Sequence, residues 1–200
     1  SPAMDAGGVL PTKVTPSIGI ANGTPIADQT VTWVLPSAGL LIDASIEFRC
    51  LVADVTGLAV TQPIAFNMVR QFQVISNGVP IINKTGVALK TQASTLRDVG
   101  HQTSIMRNAT FLGDINEDPA VPGGPAIVWR TYLPCIETFL SAPEKALLLN
   151  KSKIEISVTF NSNAQAGVQG DITFSSAPIL YLYTQMPKLS TYNEIVTQDW

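Results

Sequence analysis

The chain has a single histidine, His101, in the stretch DVGHQTS, and it is the first candidate for chemistry. One imidazole suffices for a Ser-His-Asp relay, but not for a barrel metal centre built from several imidazoles and a carboxylate. No Gly-x-Ser-x-Gly elbow accompanies it, and no serine or cysteine is marked as a nucleophile. His101 therefore reads as a loop histidine without a catalytic role. The next candidate is GDINEDP, where Asp114, Asn116 and Asp118 alternate like the first half of an EF-hand loop. The pattern then fails, because Pro119 stands where the turn needs glycine and Pro125 where the bidentate glutamate belongs. An acidic connecting loop is the expected account, with a calcium site of another type at a subunit contact as the alternative.

Cys50 and Cys135 are the only cysteines, and both fall in apolar strand patterns where a thiol behaves as a small hydrophobe. Two isolated cysteines lack metal-ligand spacing, and sequence does not say whether they approach closely enough to bridge. Four Asn-x-Ser/Thr sequons, at Asn22, Asn83, Asn108 and Asn150, read as incidental in a chain where no secretion signal is seen. There is no phosphate-cradling glycine loop and no aromatic-plus-basic platform. Most Trp and Tyr residues fall within strand patterns, where the core claims them by default. No catalytic residue, cofactor or metal is assigned, and the chain is not expected to be an enzyme.

The totals point to a different kind of work. Hydrophobic residues make up 46% of the 200 positions and charged residues only 14%, against about a quarter charged in an ordinary soluble domain. Mean hydropathy is +0.24. So little charge implies large buried interfaces, as in a subunit that sits among copies of itself. The net charge of -3, with 12 Lys and Arg and no three of them together, argues against direct nucleic-acid binding. No apolar run approaches the roughly 20 residues that span a bilayer.

Period two dominates the chain. SIEFRCLV places Ile46, Phe48, Cys50 and Val52 on one face with Glu47 and Arg49 on the other. KIEISVTF does the same with Ile154, Ile156, Val158 and Phe160. This alternation is what a half-buried strand requires. ILYLY, Ile179 to Tyr183, is apolar or aromatic on both faces and is expected to be covered on both sides. Asn77-Gly78, between FQVI and VPII, predicts a type I′ hairpin. A helix is expected over TGVALKTQASTLRDVG, ending at Gly100, and a turn or two more over APEKALLLN. Eight strands follow, at 28–35, 40–53, 66–76, 79–83, 105–112, 126–134, 152–161 and 171–185. The predicted fold is all-β: an eight-stranded antiparallel jelly-roll sandwich with one short intercalated helix, an immunoglobulin-like sandwich being the rival.

One stretch carries a resemblance. WRTYLPCIETFLSAPEKALLLNKSKIEISVTF runs from a strand ending in Leu133-Pro134, through Phe139 and the turn Ala146-Leu147-Leu148-Leu149, into KIEISVTF. It resembles the region between the sixth and seventh strands of the first barrel in double-jelly-roll major capsid proteins, the tectivirus-like lineage. NMVRQFQVISNGVPIINKTGVAL resembles that family's strand pair before a helix, and APILYLYTQMPK its last barrel strand, so the likeness covers about residues 28 to 188. A double-barrel subunit would need nearly twice this length, and long tower insertions are missing. The resemblance thus implies one barrel only, either a single-barrel capsid or vertex (penton) protein or part of a longer chain.

The domain organisation expected is an extended N-terminal arm at 1–27, part of which reads as a cloning remnant, a single jelly roll at 28–188 and a C-terminal extension at 189–200. The resemblance implies a structural virion protein located in the capsid. Its partners would be copies of itself, as trimers or pseudo-hexamers, and other capsid proteins, with an internal viral membrane in proximity. Apolar flanks would meet there, with Ile179, Tyr181 and Tyr183 as the candidate interface residues. The alternative is a carbohydrate- or receptor-binding jelly roll, as on a spike or vertex, which would show an exposed aromatic cluster on one sheet.

Overall fold

The computed structural model describes residues 9–52, 64–95, 99–109, 127–135, 147–162 and 172–185. The strands are β1 (Val9–Val14), β2 (Thr30–Val34), β3 (Leu40–Val52), β4 (Val69–Ser76), β5 (Val79–Lys84), β6 (Ile127–Pro134), β7 (Leu147–Leu148), β8 (Ile154–Phe160), β9 (Ile172–Phe174) and β10 (Ile179–Gln185). Among the described residues the helices are α1 (Ile64–Met68), α2 (Gly86–Thr95) and α3 (Val99–Asn108). One sheet runs β1-β10-β3-β6, with the short β7 and β9 also on β3; the other runs β2-β8-β4-β5. Setting β7 and β9 aside leaves eight strands, four in each sheet.

The order has a simple cause. The antiparallel pairs β1·β10, β2·β8, β3·β6 and β4·β5 are nested, like rungs of one long hairpin. Wrapping that hairpin brings β10 beside β3 and β8 beside β4, and those two pairings complete the sheets. Numbered by rank among the eight, the sheets read 1-8-3-6 and 2-7-4-5, which is a jelly roll. Residues 129–160, quoted above, thus leave one sheet along β6 and enter the other along β8.

Alternation drives the two sheets together. Ile46, Phe48, Cys50, Leu180 and Leu182 from one inner face meet Val31, Trp33, Val74, Ile156 and Phe160 from the other, all buried. Phe160 lies edge-on to Phe48 at 5.2 Å and to Phe174 at 5.7 Å between ring centroids, so aromatic packing crosses the gap. Trp33 is fully buried, and its indole N–H donates to the Pro178 carbonyl at 3.4 Å. The β4–β5 hairpin turns at Asn77 and Gly78, both with positive φ (48° and 81°), as the Asn-Gly pair predicts. Asn77 also pins the tip to the start of β8, its amide donating to the Lys153 carbonyl at 2.9 Å.

The helices close one flank. α2 meets α1 through Gly86, where a Cβ would fall 1.9 Å from the Phe66 carbonyl oxygen and 2.6 Å from that of Val69. Only glycine allows that approach. α3 packs against β6, and the Ala109 carbonyl just past it accepts from both the Ala65 amide and the buried Thr131 hydroxyl, each at 2.9 Å.

Several details differ from the sequence expectation. The strand expected at 105–112 is helix α3 up to Asn108, so there is more than one intercalated helix among the described residues. Residues 64–68, partly assigned to a strand, form α1. The expected strand at 171–185 divides into β9 and β10. Leu147–Leu148 of the expected helical turn is β7, pairing with Leu40 and Leu41. The stretch assigned to an arm holds β1, which lies antiparallel along β10. Cys50 and Cys135 are both buried and are not joined by a disulfide. Cys135 donates its amide to Ala44, six residues along β3 from Cys50, which is roughly 20 Å at the strand rise.

Candidate interaction surface

The three candidate interface residues fall on one surface. In β10, Leu180 and Leu182 turn into the core and are fully buried, while Ile179 and Tyr181 are half-buried and Tyr183 is 37% exposed. The strand therefore alternates, and its outer face is the outer face of the sheet. Among the described residues the barrel's partner sheet covers its inner side, so the expected burial on both sides is half met there.

Register shows what stands beside them. Tyr181 lies between Lys13 of β1 and Ser45 of β3, and Ile179 lies opposite Glu47, which faces Tyr132 of β6. Arg49 and Arg130 are direct partners one step further along. At the centre, the Glu47 side chain is only 2% exposed although it is on the outward side of its strand. The Tyr181 hydroxyl donates to Glu47 Oε2 at 2.6 Å and Arg49 Nε donates to Oε1 at 2.6 Å. Lys13 Nζ sits over the Tyr181 ring, 5.6 Å from its centroid.

The electrostatics follow from this geometry. Burial by itself pushes the Glu47 carboxyl up, but the Tyr181 hydroxyl and the Arg49 guanidinium outweigh it, with Arg130 adding to them. The net effect holds Glu47 below the ordinary glutamate value. The same hydrogen bond, helped by desolvation, pushes the Tyr181 phenol up to about 12. Glu47 stays ionised and Tyr181 stays protonated across the neutral range. Such a cluster fixes side chains; it offers neither a free base nor a free nucleophile.

The other sheet presents an unlike surface. Thr30 and Thr159 hydroxyls bond at 3.0 Å, Thr32 and Ser157 at 3.3 Å, and Gln71 donates to Asn83 at 3.1 Å. Beside this ladder stand the ion pairs Lys153–Glu155 and Arg70–Asp28, each at 2.9 Å. One face thus gathers tyrosines with Lys13, Arg49 and Arg130 and the carboxylates Glu47 and Asp43, while the other carries neutral hydroxyls and amides with Val34, Val79 and Ile81 exposed on β2 and β5.

His101 lies in the first turn of α3 rather than in a loop after a helix. Asp114, Asn116 and Asp118 lie outside the described residues. Among the described residues no three His, Cys, Asp or Glu side chains come together to hold a metal. No helix among them is long and apolar enough to cross a membrane. Sequence reasoning placed Glu47 and Arg49 on the outer face but missed their cluster with Tyr181. The Glu-x-Arg spacing signals a same-face ion pair, but a partner 134 residues away leaves no local trace.

No protein-family model and no curated protein matches the chain. Solved structures do share its fold. It is similar to the PBCV-1 virus capsid quasi-atomic model, with TM-score 0.64 and 15% identity over 94% of this chain and 45% of that one. It is similar also to the Faustovirus major capsid protein, with TM-score 0.55 and 11% identity over 96% of this chain and 56% of that one. A chain in the atomic structure of Sulfolobus Turreted Icosahedral Virus gives TM-score 0.54 and 10% identity, over 92% of this chain and 47% of that one. The chain spans about half the length of these solved chains. The fold is that of one barrel of a double-jelly-roll capsid protein, as the resemblance drawn from residues 129–160 implied.

Proposed function

We propose that this chain is a structural subunit of a virion shell, a jelly roll that assembles side by side with copies of itself and with other capsid proteins. The observation that carries the reading is the match of one barrel, over nine-tenths of this chain, to about half of each of several viral capsid chains. The low charge content supports it, since 14% charged residues leaves much surface for burial against neighbours. The outer face around Ile179, Tyr181 and Tyr183 is the contact surface in this reading. Tyr and Arg, which it presents together, are enriched where protein interfaces bind tightly. An interface of ordinary size removes about 1,600 Å² from water, and repetition around a shell multiplies modest affinities. The chain then works by mechanics, without catalysis, and the Glu47 cluster serves to hold the face rigid.

Negative-stain imaging of the purified protein is the direct test, with rings, shells or arrays expected. Uniform single-barrel particles at every concentration would overturn the reading. One observation favours a sugar- or receptor-binding module instead, the row of Tyr132, Tyr181 and Tyr183 on one sheet. Lys13 already covers one face of the Tyr181 ring and Glu47 takes its hydroxyl, which leaves little for a sugar to stack on or bond to. A glycan array with no binding at millimolar sugar is the expected result.

A further inference from the structure

The aromatic-cationic face is unbalanced in charge. Arg49 and Arg130 are cross-strand partners, both exposed on the outer side, where like charges directly opposite each other are unfavourable. Glu47 is the carboxylate within reach, and it is already engaged by Arg49 and Tyr181. Among the described residues Arg130 forms no ion pair, and Lys13 adds another cation across the face.

The imbalance runs through the whole chain. The described residues hold nine Lys and Arg against four Asp and Glu, a balance of +5. The remaining segments hold three against eleven, a balance of -8, and together these give the net -3. Segment 110–126, between α3 and β6, is the most acidic of them: Asp114, Glu117 and Asp118 fall within five residues, with no Lys or Arg in the segment. The GDINEDP motif, which fails as a calcium loop, has the composition of a ligand for guanidinium groups.

We propose that GDINEDP, residues 113–119 of one copy, docks on the Arg49–Arg130 pair of a second copy. The inference rests on the assembly reading and specifies which parts of two subunits meet. The two surfaces differ, so the contact is head-to-tail, the kind that closes into rings. Carboxylates facing Arg49 and Arg130 relieve the cross-strand repulsion that Glu47 alone leaves. Between exposed groups this attraction is screened by salt, so assembly weakens as sodium chloride rises from 50 to 500 mM, a range over which the Debye length falls from about 14 Å to about 4 Å.

A charge-swap experiment by mass photometry decides it. Arg130→Glu alone, and Asp114→Lys with Asp118→Lys alone, each raise the apparent dissociation constant of the assembled form at least tenfold. The triple variant Arg130→Glu, Asp114→Lys, Asp118→Lys restores assembly to within a few-fold of wild type, because in a ring of any size every swapped face meets a swapped loop. Arg130→Gln, with circular dichroism to show that the fold persists, gives a smaller loss in the same direction. Wild-type assembly with variants that assemble equally well overturns the docking while leaving the assembly reading intact. A triple variant that stays dissociated overturns it too. A wild type that stays monomeric at every concentration overturns both.

Discussion

Glu47 shows how one residue's setting changes its meaning. In sequence it is the polar half of an alternating strand; in the fold it is a nearly buried carboxylate that accepts from Tyr181 and Arg49. Replacing it by glutamine, E47Q, leaves Arg49 without its counter-charge and is expected to cost about 2 kcal/mol in urea unfolding at pH 7. Because the folded carboxyl is depressed, its contribution is full above the ordinary glutamate value of about 4.3. It disappears as pH falls through the depressed folded value. The gap between wild type and E47Q should therefore be constant from pH 7 to about 5 and close below pH 4. A gap that widened on acidification would contradict the assignment. Tyr181 titrates with the same partner, so in E47Q its phenolate absorbance should appear closer to pH 10 than to 12.

At the scale of elements, two features were hidden from the sequence for physical reasons. VLPTKV reads poorly as a strand because Pro11 lacks an amide hydrogen, yet β1 is an edge strand, where proline is tolerated. IMRNATFL, residues 105–112, reads as a strand, but Ile105 and Ala109 are both buried and stand four residues apart, one helix face against β6. Among the eight strands of the wrapped hairpin, β1 takes the place of the strand expected at 105–112. Alternating strands such as SIEFRCLV and KIEISVTF, by contrast, were legible residue by residue, because burial of one face leaves no other pattern. The pairing across the barrel was not, since it joins positions over a hundred residues apart. Two outcomes follow at this scale. Gly86→Ala forces the α1 and α2 backbones apart and should cost about 1–3 kcal/mol in a thermal or urea melt. Removing residues 1–14 bares the outer edge of β10, and static light scattering should then show faster aggregation than in the full chain.

The whole molecule is a barrel with two unlike broad faces, one of tyrosine and arginine, the other of threonine, serine and amides with Val34, Val79 and Ile81 exposed among them. The core that holds them is cross-sheet and aromatic, and Phe160→Ala should cost about 3–5 kcal/mol by emptying the space between Phe48 and Phe174. The low charge was legible in composition, but the surface it would serve was not, because outward residues of β3, β6 and β10 gather only once the hairpin has wrapped.

All of this depends on a wrapped eight-strand hairpin whose tyrosine-bearing wall is built to be covered by a sister molecule. Sedimentation velocity over a hundredfold range of concentration tests that most directly: growth into trimers or larger rings, abolished by Tyr183→Asp, is the predicted result. A single slow boundary at the mass of one chain throughout would contradict it.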